Sequence, residues 1–207
     1  MRGIRNWGGF KGMSNYFMNT FAKMITENQS IDSIGAYLDS LSPADRLREV
    51  QSFPGKLMLL LFQKAKTVSL QEMAPFTSEP LKEIIFHGKN SLPAFFLFQK
   101  RMCRSPDGNS VWGYNHQPLQ KLTGPGYFVV SENTDRPGEV MIDYTKIPYQ
   151  APLGWPKLKA NTTGITYLVY GNMKDFMKKV SKNIFIGEAT KKSKKIGQYF
   201  LLCRQGP

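Results

Sequence analysis

The sequence is poor in cysteine, histidine and acidic residues, and it contains no long apolar run. Two cysteines and two histidines among 207 residues favour neither a disulfide framework nor a cysteine-rich zinc site. The longest apolar run, residues 57–62, is far shorter than the roughly 18 residues that a membrane-spanning helix needs. No apolar segment follows the basic, glycine-rich residues 1–12, so no signal peptide is expected. A reducing, cytoplasmic setting is therefore expected.

Basic residues outnumber acidic ones, 28 to 15, and give a formal net charge of +13. Three kinds of partner fit this charge: anionic membrane surfaces, acidic small molecules and nucleic acid. Residues 174–195 contain eight lysines against Asp175 and Glu188. This pattern favours a solvated lysine face, with attraction to an anionic membrane or ligand next. Nucleic acid comes last, because no aromatic residue interrupts residues 191–195 to stack on bases.

The pattern of the chain changes near residue 80. Before it, apolar residues recur at helical spacing over 16–25 and 31–41, and Ser42 with Pro43 forms a helix start. Residues 56–66 are apolar on most faces and predict a buried helix, and 69–74 add a short helical turn. We therefore expect a flexible extension over 1–12, a helical layer over 13–80 and a barrel over 81–207, the last two forming one compact unit.

After residue 80 the sequence predicts short strands separated by turns. The predicted strands are residues 92–103, 111–116, 127–131, 139–144, 166–170, 184–190 and 198–204. Residues 135–138 have a hairpin-turn sequence, and the prolines in 147–156 require irregular backbone. Residues 175–182 fit a helix or a strand equally well. About seven or eight strands are expected, enough for a closed barrel with a small, ligand-sized interior.

Several of these strands are apolar on both faces. Residues 95–98, 127–130, 140–142 and 200–202 lack the alternation of a sheet with one wet face. Helices can cover one face, and the other then meets either a filled core or an apolar cavity. Hydroxyl and cationic side chains lie among these strands: Lys100, Arg101, Tyr114, Tyr127, Tyr144, Tyr170 and Arg204. A buried cation needs a counter-charge, which Asp143, Glu188 or an acidic ligand group would supply.

Catalytic motifs are scarce. The sequence contains no Gly-x-Ser-x-Gly elbow, phosphate-binding loop or dinucleotide fingerprint. His87 and His116 suit a general base, a metal ligand or a haem ligand, but structural roles are more typical of isolated histidines. Cys103 and Cys203 each precede an arginine, yet their apolar surroundings favour buried, inert thiols. The sequence thus favours binding over catalysis, leaves an enzyme open, and indicates no metal or cofactor.

The C-terminal segments resemble a known barrel family. Residues 170–180 read Tyr-Gly-Asn-Met-Lys-Asp-Phe-Met-Lys-Lys-Val, Ile186-Gly187 follows, and residues 199–204 read Tyr-Phe-Leu-Leu-Cys-Arg. This pattern is similar to the closing strands of calycin-like (lipocalin or fatty-acid-binding-like) barrels, in particular those named for a Gly-x-Trp-x-Gly motif. Around Trp112 both glycine positions of that motif hold other residues, so the resemblance implies the fold more than the site. It implies that 175–180 is a strand and that the barrel binds small apolar molecules.

Together these observations predict an α+β protein in which N-terminal helices pack on an antiparallel calycin-like β-barrel. The expected function is non-enzymatic binding of a lipid, fatty acid or other small hydrophobic ligand. Arg101 and Arg204 would anchor an acidic head group, and Tyr114 and Tyr127 would donate hydrogen bonds to it. The apolar part of the ligand would be lined by Phe96, Phe98, Phe128 and Phe200.

Two alternatives remain at this point. The first is a peripheral-membrane or nucleic-acid binding module that acts through the lysine face. Its candidates for membrane contact are Trp7, Phe10, Phe17 and Trp155. The second is an enzyme or haem protein that uses His87 or His116.

Overall fold

A computed structural model describes residues 19–75, 79–92, 96–118 and 120–206. The predicted extension over 1–12, the start of the first predicted helix, and the candidates Trp7, Phe10 and Phe17 lie outside the described residues. The described chain forms a set of helices followed by a closed eight-stranded antiparallel barrel. This architecture confirms the α+β fold class.

The helical layer consists of four helices joined by short connections. They are α1 (Thr20–Thr26), α2 (Ile31–Ser40), α3 (Pro43–Ser52) and α4 (Met58–Lys64), with a 3-10 turn at Gly55–Leu57 before α4. Asn19, Ser30 and Ser42 cap the first three helices by accepting a hydrogen bond from a backbone N–H of the first turn. The predicted start at Ser42-Pro43 is confirmed, with the Asp45 N–H donating to Ser42 Oγ at 3.2 Å.

The barrel is a simple meander that closes on itself. Its strands are β1 (Ile84–Asn90), β2 (Leu97–Arg104), β3 (Val111–His116), β4 (Phe128–Glu132), β5 (Val140–Asp143), β6 (Met173–Lys179), β7 (Ile184–Lys191) and β8 (Lys194–Arg204). Each strand pairs with the next in the chain, and β8 pairs with β1. The strand implied by the resemblance over 175–180 is confirmed by β6, except for its last residue. Strand β1 was not predicted, because turn-type residues follow Phe86.

One predicted strand is wrong. Residues 166–170 belong to a helix, α7 (Gly164–Tyr170), which lies between β5 and β6. Strand β5 pairs directly with β6, so the barrel has no place for another strand between them. Burial in this segment follows the period of a helix. Thr166 and Tyr170, four residues apart, are buried, whereas Ile165 and Leu168 are exposed.

Two apolar cores lie on opposite sides of the barrel wall. Alternate residues of β7 and β8, such as Ile186, Leu201 and Cys203, face outward and pack against α1 to α4. The intervening residues, such as Phe185 and Leu202, fill the barrel interior. Both faces of these strands are therefore apolar because each covers a core. Among the described residues, no helix is long and apolar enough to cross a membrane.

The two ends of the barrel differ. A short helix, α5 (Leu70–Met73), covers one end, and Leu70, Met73 and Ala74 belong to the interior core. Arg204, at the end of β8, holds α5 over this end of the barrel by donating hydrogen bonds to the carbonyl oxygens of Glu72 and Met73. At the other end, α7 and the short α6 (Gln120–Thr123) flank an opening. These ends are called the closed end and the open end below.

Candidate functional site

The open end of the barrel contains a cavity of about 240 Å³. A cavity of this volume has room for about eight water molecules. Aromatic rings form much of its wall, and its most deeply buried polar side chains are those of Lys100, Asn115, Tyr144 and Asp175. The residues that line it include Phe98, Lys100, Asn115, Gln117, Tyr144, Tyr170, Asp175, Ala189, Gln198 and Phe200. A larger groove of about 590 Å³ between α2 and α3 is open and lined by partly or fully exposed residues.

The inner end of the cavity holds a buried lysine. Lys100 is 2% exposed. Its Nζ donates to Asn115 Oδ1 at 3.0 Å, to Tyr144 Oη, and to Asp175 Oδ2 at 3.4 Å. An ammonium group has three N–H donors, so these three acceptors engage all of them.

Four aromatic rings surround this ammonium group. The ring centroids of Phe128, Tyr144 and Phe200 lie 5.0 Å from Lys100 Nζ, and that of Phe98 lies 5.6 Å away. At such distances the negative faces of the rings attract a cation. The aromatic shell therefore replaces part of the hydration that Lys100 loses on burial.

Glycines make room for three of these rings. Each of Phe98, Phe128 and Phe200 stands directly opposite a glycine of the neighbouring strand, in the pairs Gly88–Phe98, Gly113–Phe128 and Gly187–Phe200. A Cβ atom at Gly113 or Gly187 would come within 2.3 Å of the opposing ring. Glycine at these interior positions thus lets each ring lie flat against the barrel wall beside Lys100.

Asp175 is the counter-charge of Lys100. It lies on β6, is 2% exposed, and accepts from Lys100 and from Tyr144 Oη (3.2 Å) through Oδ2. Its other oxygen, Oδ1, is buried and has no hydrogen-bond partner among the described residues. Burial raises the pKa of Asp175, and the nearby Lys100 opposes that shift. Burial likewise lowers the pKa of Lys100, and Asp175 opposes it.

Two stacked tyrosines line the cavity beside the pair. The Tyr144 and Tyr170 rings lie 5.3 Å apart at an interplanar angle of 14°. Gln117 Nε2 donates to Tyr170 Oη at 3.1 Å. Burial raises the pKa of Tyr170 to about 12 and that of Tyr144 well above its ordinary value. Both phenols therefore stay neutral near pH 7 and act as hydrogen-bonding groups.

The structure brings three of the eight predicted site residues together. Phe98, Phe128 and Phe200 surround Lys100 in the interior. Phe96 precedes β2, is 43% exposed, and has Lys89 over its ring. Successive side chains along β2 and β3 point alternately into the barrel interior and to its outer surface.

The four predicted polar anchors do not meet in the interior. Arg101 lies on the outer face and pairs with Glu83 at 3.4 Å. Tyr114 and Tyr127 pack with Trp155, and Tyr127 Oη donates to the carbonyl of Pro156 at 2.5 Å. Arg204 lies at the closed end, across the interior core from the cavity. Ligand binding by any of the eight residues stays a prediction.

The sequence predicts one member of the buried pair and misses the other. Lys100 was among the expected internal cations, but the expected counter-charges were Asp143 and Glu188. Both lie on outward-facing positions, where Asp143 pairs with Lys174 (3.6 Å) and Glu188 with Lys195 (3.0 Å). The sequence contains a signal for Asp175: it stands between Met173 and Met177 with a period of two, as Lys100 stands between Phe98 and Met102.

The histidines and cysteines lie outside the cavity lining. His87 and His116 are on the outer surface, and His87 Nε2 is 3.3 Å from Gln205 Oε1. Burial raises the pKa of the Cys103 thiol to about 12 and that of Cys203 to about 11. Within the described ranges, no three histidine, cysteine or acidic groups lie together as a metal site would require.

Comparison of the chain with protein-family models, curated proteins and solved structures gives no match. The closed eight-stranded antiparallel barrel is consistent with a calycin-like barrel.

Proposed function

We propose that this protein binds a small hydrophobic ligand with one polar end in the cavity at the open end of the barrel. The observation that carries the proposal is the buried Lys100–Asp175 pair at the inner end of an aromatic-walled cavity. Small-molecule sites typically combine apolar walls with a few fixed polar groups that orient the ligand. Here the aromatic rings would hold the body of the ligand, and the polar group would point inward.

The size of the cavity favours a compact ligand. At about 240 Å³ it is smaller than the roughly 300–1,000 Å³ of sites for drug-sized molecules. Buried side chains such as Phe86, Met102 and Phe185 fill the interior beyond it, and α5 covers the closed end. A single ring or a short chain therefore fits better than a long acyl chain.

Native mass spectrometry of the freshly purified protein would detect a retained ligand, and calorimetry with small aromatic alcohols and amides would measure binding. The matched variants are Ala189→Leu, which fills the cavity, and Ala36→Leu, the same change at an exposed position of α2. We expect A189L to abolish binding and A36L to retain it. No retained ligand together with no binding, or equal binding by both variants, would refute the proposal.

A second candidate function is docking of the open end on an anionic membrane. The lysine-rich turn between β7 and β8 lies at this end, and Lys191 Nζ donates to the Leu168 carbonyl at 2.5 Å. Leu168 is 71% exposed and Ile165 is 45% exposed, so apolar side chains stand beside the lysines. Exposed apolar groups next to basic ones favour contact with an anionic bilayer.

Sedimentation with vesicles tests this candidate. We expect binding to vesicles that contain phosphatidylserine, weaker binding to pure phosphatidylcholine, and loss of binding as salt rises. Replacing Lys192 and Lys194 by glutamine should weaken binding about 30-fold, at about 1 kcal/mol per lysine. Leu168→Ser should weaken binding as well. The control is Leu59→Ser, at an exposed leucine of α4, which should leave binding unchanged. Preference for an oligonucleotide over the vesicles would instead support the nucleic-acid alternative.

A further inference from the structure

Building on the proposed function, we infer that the ligand presents a neutral hydrogen-bond donor to Asp175, as an alcohol, phenol or amide does, and that the cavity discriminates against carboxylates. Asp175 would select the polar end of the ligand, while the aromatic walls would hold its apolar body. A neutral polar end differs from the acidic head group that the sequence predicts.

One carboxylate oxygen of Asp175 lacks a hydrogen bond among the described residues. A buried carboxylate oxygen without a hydrogen bond is costly, and native structures contain few such atoms. Asp175 Oδ2 accepts from Lys100 and Tyr144, whereas Oδ1 has no partner in the part of the chain that the structure describes. Because Asp175 lines the cavity, a ligand O–H or N–H placed beside it would complete this hydrogen bonding.

Lys100 has no N–H donor left for an acidic ligand. Its three N–H groups are engaged by Asn115, Tyr144 and Asp175. A ligand carboxylate would have to displace one of these acceptors to reach the ammonium group. It would then compete with Asp175 for the same cation.

The charges at the inner end of the cavity already balance. Among the described residues that line the cavity, only Lys100 and Asp175 can carry a charge near neutral pH. The pair has no net charge, whichever partner holds the proton. A carboxylate would add an uncompensated negative charge beside this buried pair, whereas a neutral donor would add none.

Three ligands that share one ring test the inference by calorimetry near neutral pH. Phenylacetamide and phenylacetate have the same shape and differ in charge and in donors, and phenylethanol supplies a hydroxyl donor. We expect the amide and the alcohol to bind at least about tenfold more tightly than the acid. The two neutral ligands gain a hydrogen bond to Asp175, whereas the acid brings an unpaired charge.

The variant Asp175→Asn tests the same point from the side of the protein. It removes the negative charge and leaves Lys100 without its counter-ion, so phenylacetate should gain affinity and the preference should shrink or reverse. Asp143→Asn, the same change on the outer face of the adjacent strand, should leave the preference unchanged. Circular dichroism and melting temperature establish that each variant is folded.

The outcomes separate the two proposals. Equal binding of amide and acid, or tighter binding of the acid by the unaltered protein, would overturn the donor inference and leave the proposed function standing. Binding of none of the three ligands would overturn the proposed function, and the inference with it. An unchanged preference in D175N would show that Asp175 does not set the ligand class.

Discussion

At the scale of single residues, the most consequential feature is an ion pair inside an apolar barrel. Lys100 and Asp175 are each 2% exposed, and their burial disfavours both charged forms. Three opposed glycine–phenylalanine pairs let aromatic rings approach the ammonium group. The pair is thus held by its own charges, by Asn115 and Tyr144, and by ring faces. Removing one partner of such a pair leaves a buried, uncompensated charge, which destabilises the fold.

We predict that Lys100→Met lowers the free energy of unfolding by about 3–5 kcal/mol, because it leaves a buried carboxylate without a counter-charge. The folded-state pKa of Asp175 is raised, so folding stabilises its protonated form. The loss should therefore be smallest below the unfolded-state pKa of about 4 and should grow as the pH rises through the folded-state pKa. Urea unfolding at several pH values measures this dependence.

The double variant Lys100→Met/Asp175→Leu is the control for that prediction. Replacing both partners by apolar side chains removes the unpaired charge, so most of the stability lost in K100M should return, and with little pH dependence. A K100M loss that is the same at acidic and neutral pH would contradict the assignment of Asp175 as its buried partner. So would a double variant that is no more stable than K100M.

At the scale of elements, α5 and the end of β8 form one structural unit at the closed end. Ser69 and Glu72 form a capping box that starts α5. Arg204 holds the end of α5 by donating to the carbonyls of Glu72 (3.0 Å) and Met73 (3.4 Å). The same guanidinium donates to the Lys182 carbonyl at 2.7 Å, so it joins the helix to the turn between β6 and β7.

We predict that Arg204→Leu destabilises the protein by about 2 kcal/mol through the loss of these charged hydrogen bonds. It should leave the affinity for cavity ligands unchanged, because Arg204 lies at the opposite end of the barrel. Denaturant unfolding and calorimetry with phenylethanol measure the two effects. Arg48→Leu, at an exposed arginine of α3, should change stability by less than about 0.5 kcal/mol. Lost affinity in a folded R204L would instead support Arg204 as a ligand anchor.

At the scale of the whole molecule, the helices and the barrel share one core. Phe53, Leu38 and Leu61 of the helical layer belong to the same buried cluster as Ile186 and Leu201 of the barrel. The outward faces of β7 and β8 would lie open to water without the helices. The two parts should therefore unfold together.

We predict that Leu38→Ala lowers the free energy of unfolding by about 2–5 kcal/mol and leaves a single transition. Far-ultraviolet circular dichroism reports on the helices, and tryptophan fluorescence, measured in a Trp7→Phe background, reports on the barrel region through Trp112 and Trp155. The two curves should coincide and shift together. Leu59→Ala, at a leucine that is 47% exposed, should shift neither by much. A barrel signal that L38A leaves in place would show that the two parts fold independently.

Local sequence patterns were sufficient for most of the elements. Caps such as Ser42 with Pro43 mark helix starts by local hydrogen bonding, and turns such as 135–138 mark hairpins by local backbone preference. They were insufficient at α7, where apolar and β-branched residues suit a strand as well as a helix. They were also insufficient at β1, which is formed by pairing with β2 and β8.

The sequence by itself determined the α+β class, most element boundaries and the two-faced apolar strands, because these depend on residues close together in the chain. Only the tertiary structure decided which residues share the cavity. Lys100 and Asp175 are 75 residues apart, and barrel closure brings them together. The direction of each side chain depends on strand register, and a shift of one residue exchanges inside and outside. Arg101, Tyr114 and Tyr127 therefore face outward, whereas Lys100, one residue from Arg101, faces the cavity.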